Sequence, residues 1–143
     1  MERFEYPVLL KAAEEGGFIV TCRDLPALIT QGENKEDALT QAADAMDEVF
    51  ATYMLKGLTF PTPSNTRRRE YSIAPPAETM AKAALYTAMS EAGITKVQLA
   101  KQLGIDEKEV RRLLDPHYSS KLPRIAQAIQ LLGKRLVIGL EAT

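Results

Sequence analysis

The sequence predicts an α+β fold in two parts: a small antiparallel sheet with one long helix, then a nearly all-helical segment that finishes in a strand. Three observations predict it. Apolar residues alternate over residues 4–22, and an unusually regular apolar face recurs at helical spacing over residues 39–54. Between Ile94 and Leu114, ITKVQLAKQLGIDEKEVRRLL reads as two capped helices around a short turn.

In chain order, Phe4, Tyr6, Val8 and Leu10 alternate at strand period, and Glu14-Glu15-Gly16-Gly17 supplies a hairpin turn. Phe18, Val20 and Cys22 resume the alternation, which Asp24-Leu25-Pro26 breaks. Leu28-Ile29-Thr30-Gln31 forms a short third strand before Gly32. Asn34, with Asp37 three residues on, caps a helix from about Lys35 to Lys56. Its inner face is Leu39, Ala42, Ala43, Met46, Val49, Phe50, Tyr53 and Met54, and Gly57 stops it.

Phe60-Pro61-Thr62-Pro63-Ser64-Asn65-Thr66 has linker composition, so a linker is expected over about residues 60–69. Arg67-Arg68-Arg69 reads as solvated surface, with phosphate contact as the alternative. Tyr71-Ser72-Ile73 adds a fourth strand, ended by Pro75-Pro76, which sets the expected domains at 1–74 and 78–143. Met80, Ala84, Leu85, Ala88, Met89 and Ala92 form one face of a helix ending at Gly93. After the paired helices, Asp115-Pro116-His117 is a stop, and Pro123 falls in the first turn of a last helix with Ile125, Ala126, Ile129 and Leu132 inside. Arg135-Leu136-Val137-Ile138-Gly139-Leu140 reads as a strand. Alone in a helical domain it needs a partner, and a second copy of the chain is the simplest one.

The Ile94–Leu114 segment carries the clearest functional signal. Thr95 with Gln98, and Asp106 with Glu109, have capping-box spacing. Leu99, Ala100, Leu103, Ile105, Val110 and Leu113 form the inner side, and Gly104 sits where a left-handed backbone is commonly needed. Such a helix-turn-helix can be an ordinary hairpin in a bundle or a DNA reader. The outer side favours DNA: Lys96 is placed for a phosphate, while Glu107, Lys108 and Arg112 face base edges with Arg111 at the flank. With the cap Asp106, these six residues are the expected operator-DNA contacts.

Composition limits the alternatives. The 143 residues carry a net charge of −1, but residues 1–60 hold five Lys/Arg against eleven Asp/Glu, and residues 79–143 hold ten against six. An acidic first half and a basic second half suit partners of opposite sign. No apolar run approaches the roughly 20 residues that span a bilayer, and MERFEYPVLL lacks a signal-peptide pattern, so a cytoplasmic protein is expected. Cys22 is alone and no Cys/His cluster suggests a metal. No glycine-rich phosphate loop or Ser/His/Asp set appears, so neither cofactor nor enzymatic activity is expected.

Taken in order, several short motifs resemble one family. They are Tyr6-Pro7-Val8, Gly16-Gly17-Phe18, Asp24-Leu25-Pro26, Thr30-Gln31-Gly32-Glu33, Glu36-Asp37-Ala38 and Pro61-Thr62-Pro63-Ser64, continuing through the paired helices to Leu132-Gly133-Lys134. With these, nearly the whole chain resembles the antitoxins of HicA–HicB toxin–antitoxin systems, in the subgroup with a C-terminal helix-turn-helix. One departure is Asp37, where the family usually has Glu. The resemblance implies a partial RNase H-like first domain of β-β-β-α-β order that covers a HicA-type ribonuclease toxin. It also implies a second domain that binds operator DNA as a homodimer or higher assembly. The acidic face of residues 1–60 would complement a basic, RNA-binding toxin. Toxin contacts are narrowed only to residues 4–56.

An RNase H-like domain raises the question of nuclease chemistry, which needs carboxylates converging on two metal ions. Asp24, Glu33, Glu36, Asp37, Asp44, Asp47 and Glu48 are numerous enough, but Glu36, Asp44, Asp47 and Glu48 fall on the polar side of the long helix. Two readings remain: an antitoxin that represses its own operon, and a ligand-sensing helix-turn-helix regulator without a toxin.

Overall fold

The computed structural model describes residues 1–142. The chain is mixed α+β, with a four-stranded antiparallel sheet first and helices afterwards. It divides into two compact units, Met1–Met80 and a second beginning at Ala81.

In the first unit β1 (Tyr6–Ala12), β2 (Phe18–Thr21) and β3 (Ile29–Gly32) form a meander, α1 (Lys35–Lys56) follows, and β4 (Glu70–Ile73) returns to the sheet. The strand order is β3-β2-β1-β4, so β4 pairs with β1 on the side away from the meander. Leu9 opposes Thr21, and Thr21 opposes Ile29. Because side chains alternate across a strand, Tyr6, Val8 and Val20 face inward and are buried, while Leu9, Ile19 and Ile29 face outward and are exposed.

The long helix behaves as its caps dictate. The Asn34 side chain accepts from the Asp37 amide at 2.8 Å, and the Asp37 carboxylate accepts from the Glu33 amide at 2.9 Å. Gly57 ends it in the left-handed region. Its buried side is Ala38, Ala42, Met46, Val49, Phe50 and Met54. Leu39, Ala43 and Tyr53, expected inside, are only half-buried, while Ala38 is fully enclosed. The reason is close approach: a Cβ on Gly32 would lie 2.3 Å from the Ala38 amide nitrogen, so β3 and the start of α1 almost touch there.

The linker-like stretch is pinned along its length. Tyr6 donates its hydroxyl to the Pro61 carbonyl at 2.7 Å, Arg23 donates to the Asn65 carbonyl at 2.6 Å, and Phe60 stacks on Tyr53. Phe4 and Phe50 complete an aromatic cluster around Phe60. These residues belong to the first unit as a strap laid over it.

α2 (Ala77–Ala92) contains the division between units. The second unit continues with α3 (Lys96–Leu103), α4 (Glu107–Leu113) and α5 (Leu122–Leu131), around a core that includes Leu85, Leu99, Val110, Leu113, Ile125 and Ile129. One expectation fails here. The strand anticipated at Arg135–Leu140 does not form: residues 134–142 have no regular structure. A strand needs a ladder partner, and the described part of this unit offers only helices. Leu136 packs against the core, while Val137, Ile138 and Leu140 are exposed. Among the described residues no helix is long and apolar enough to cross a membrane.

Candidate nucleic-acid interface

The α3–α4 pair is built by its caps. The Thr95 side chain accepts from the Gln98 amide at 3.1 Å, and the Gln98 side chain accepts from the Thr95 amide at 2.8 Å, a complete capping box. Gly104 takes φ +70° and its amide reaches back to Ala100 and Lys101, so the turn closes without a Cβ penalty. Asp106 then opens α4, accepting from the Lys108 amide at 2.9 Å. Here the second box is incomplete: the reciprocal bond expected of Glu109 is replaced by a 3.7 Å ion pair with Arg124. Leu99, Ala100, Val110 and Leu113 are buried, with Leu103 and Ile105 packed beside them.

What remains outside carries five cations, Lys96, Lys101, Lys108, Arg111 and Arg112, against the acidic Asp106, Glu107 and Glu109. Lys96, Lys101 and Lys108 are exposed and their side chains make no ion pair among the described residues. Arg111 is exposed and pairs with Glu107 one turn away at 3.0 Å, a surface contact of little energetic weight. The Arg112 guanidinium lies 4.9 Å from the centre of the Tyr118 ring. All six residues expected at the interface, Lys96, Asp106, Glu107, Lys108, Arg111 and Arg112, therefore fall on α3, α4 or the turn between them, away from the core.

Two residues were missed by sequence reasoning. Tyr118 lies in the loop after α4, where no periodicity singles it out. Lys82 is fully enclosed at 0% exposure within the apolar run Met80–Leu85. A charged residue there was the available signal, since lysine is seldom fully buried without partners. His117, in the same loop, donates its amide to the Asp115 carboxylate at 2.9 Å, an Asx turn.

In the first unit several carboxylates are tied into the structure. Asp24 accepts from Ser64, Asp47 accepts from the Thr79 hydroxyl, and Glu70 accepts from Arg23 at 2.9 and 3.0 Å. The bidentate Arg23 contact holds the Glu70 carboxyl below its usual range. Burial, assisted by the charge of Asp24, pushes the Tyr6 phenol well above the ordinary tyrosine range. Among the described residues no three His, Cys, Asp or Glu come together as a metal site. The outer sheet face carries an open hollow of about 390 Å³ whose lining includes Leu9, Thr21, Arg23, Pro26, Ile29 and Glu70.

Comparison with known proteins places this architecture. Residues 5–84 match the family described as HicB_like antitoxin of bacterial toxin-antitoxin system. Antitoxin HicB of Escherichia coli (strain K12) is 34% identical over 131 residues, covering 92% of this chain and 95% of that protein. Antitoxin HicB of Pseudomonas fluorescens (strain Pf0-1) is 33% identical, covering 97% of this chain and 95% of that one. Antitoxin HicB 1 of Photorhabdus laumondii is 28% identical over 141 residues. The family match covers the sheet and α1 and ends just inside the second unit, while these relatives extend over nearly the whole chain. On both grounds the chain belongs to the HicB-like family of antitoxins of bacterial toxin–antitoxin systems.

Proposed function

We propose that this antitoxin neutralises a HicA-type ribonuclease toxin through its first unit and represses its own operon through its second. In this reading α3–α4 is a helix-turn-helix, α4 enters the major groove of operator DNA, and Lys96 anchors a phosphate. Lys108 and Arg112 face guanine O6 and N7, Glu107 accepts from a cytosine amine, and Arg111 lies at the flank. The observation that carries the reading is the sidedness of this helix pair: Leu99, Ala100, Val110 and Leu113 are buried on one side, and three lysines and two arginines are exposed on the other, beside Asp106, Glu107 and Glu109.

The first unit is a partial RNase H-like fold used for binding rather than catalysis. Asp24, Asp37, Asp47 and Glu70 are engaged in caps and ties, and residues 1–60 carry a net −6 that complements a basic, RNA-binding toxin. The toxin seat lies within residues 4–56, where Leu9, Ile19 and Ile29 project outward from the sheet. The tail at Arg135–Leu140 becomes a strand on meeting its copy in a second chain, giving a two-fold dimer that matches a palindromic operator.

The test pairs two assays on the full chain. Co-expression with a HicA-type toxin is expected to restore growth and to yield a co-purifying complex. The antitoxin is also expected to retard the duplex from upstream of its own coding sequence more strongly than a scrambled duplex. Failure of the first sinks the antitoxin–HicA pairing; failure of the second sinks the DNA reading alone.

A further inference from the structure

The buried Lys82 ties together the backbone of two residues whose side chains meet on the surface. Its ammonium donates to the carbonyl of Arg112 at 2.8 Å, the carbonyl of Asp115 at 2.7 Å and the carbonyl of Tyr118. The Ser120 hydroxyl oxygen accepts at 2.9 Å and in turn lies 3.4 Å from the Arg112 carbonyl. Every one of these acceptors falls between residues 112 and 120, in the last turn of α4 and the loop behind it. A buried ammonium is tolerated only when so surrounded, and a cation at this place meets the negative end of the α4 dipole.

On the outside, the Arg112 guanidinium lies over the Tyr118 ring. Arg112 and Tyr118 are thus joined twice, by their backbones through Lys82 and by their side chains through a cation–π contact. We propose that Lys82 is a positioning residue for DNA recognition: by locking the loop against α4 it holds Tyr118 under Arg112 and pre-sets the arginine that reads a base. The inference rests on the DNA reading of α4. A cation–π contact uses none of the guanidinium's N–H donors, which remain available for guanine O6 and N7. An arginine ordered before the duplex arrives loses less rotamer freedom on binding.

The proposal is tested with the full chain, the upstream duplex and a scrambled duplex of equal length. Lys82→Met is expected to weaken binding to the upstream duplex by about tenfold, the worth of one bidentate base contact. Its effect on the scrambled duplex and on the salt slope is expected to be nil, because the buried charge touches no phosphate. Combined with Arg112→Ala, it should add nothing further. Multiplying losses, or equal weakening on both duplexes, would overturn the proposal and leave Lys82 as a strut.

Because Lys82→Met removes a buried partner and can loosen the fold, the exposed Tyr118 offers a second route. Tyr118→Ala is expected to reproduce the tenfold loss and Tyr118→Phe to bind as wild type, since only the ring is needed. Nuclear spin relaxation of the Arg112 Nε in the DNA-free chain gives a readout independent of binding. An ordered Nε in wild type that becomes mobile in Tyr118→Ala supports the stack; a mobile Nε in wild type overturns it even if α4 binds DNA. A wild-type chain that does not distinguish the two duplexes overturns the DNA reading and this inference together.

Discussion

Asp24 accepts both hydrogen bonds that Ser64 donates, from its amide at 2.8 Å and from its hydroxyl at 2.6 Å, across forty residues of chain. The aspartate lies in the loop between β2 and β3 and the serine in the strap, so this pair fixes the strap to that loop. Asp24→Ala leaves a half-buried amide without its acceptor. A loss of about 1–3 kcal/mol is expected, read as a lower urea midpoint with an unchanged slope.

Gly32→Ala should be more damaging than its single methyl suggests. The added carbon would lie 2.3 Å from the Ala38 amide nitrogen and 2.4 Å from the Ala38 Cα, both backbone atoms that cannot swing aside. Separating β3 from the start of α1 is expected to cost about 2–3 kcal/mol. Circular dichroism melts of the variant and wild type check it, and an unchanged melting temperature would contradict the close approach.

The Arg23–Glu70 pair predicts a pH dependence. Arg23 holds the Glu70 carboxyl below its usual value, assisted by the Arg67 amide at 2.8 Å. The folded value is therefore lower than the unfolded one, about 4.3, so this contribution is present above that pH and lost as pH falls through the folded value. Glu70→Gln should melt below wild type at neutral pH, and the gap should close as the pH is taken below about 4. A gap that stays constant in acid would show that the pair does not titrate as described.

On DNA, Arg112→Ala is expected to cost about 1–3 kcal/mol on the upstream duplex and to relax the preference at one base position. Lys96→Ala should weaken binding to every sequence and reduce the salt slope by about one counterion. Electrophoretic titration at two salt concentrations separates the two behaviours. Wild-type affinity in both variants would remove α3 and α4 from the interface.

The tail offers a fifth test. Ile138 is exposed in the single chain, and pairing with a second copy would bury it. Ile138→Asp is expected to shift the chain from dimer to monomer in sedimentation velocity while leaving its circular dichroism spectrum unchanged. A dimer that survives the substitution would place the self-association elsewhere.

Much of this molecule was legible in its sequence because its elements are set locally. Asn34 and Gly57 bound α1, and Thr95, Gln98 and Gly104 define α3 and its turn, within a few residues of where they act. The long-range ties were not legible. Pro61–Asn65 has linker composition, yet Tyr6 and Arg23 pin it down from more than forty residues away. The tail Arg135–Leu140 has strand composition, but a strand is a relation between two chains of residues and a single copy supplies only one. Lys82 escaped for a third reason: a charge within the apolar run Met80–Leu85 signals burial, but not the four oxygens at the end of α4 and in the loop behind it that define its role.

The placement of β4 beside β1 has a consequence for synthesis. β1 is made well before β4, and one of its edges stays open until Glu70–Ile73 has been translated and has emerged from the ribosome. Until then the nascent chain presents an unpaired strand edge, the kind of surface on which chains mispair. The first unit therefore cannot close its sheet before β4 emerges, and a message broken ahead of the codon for Glu70 would yield only a three-stranded fragment with Tyr6 and Val8 at its margin.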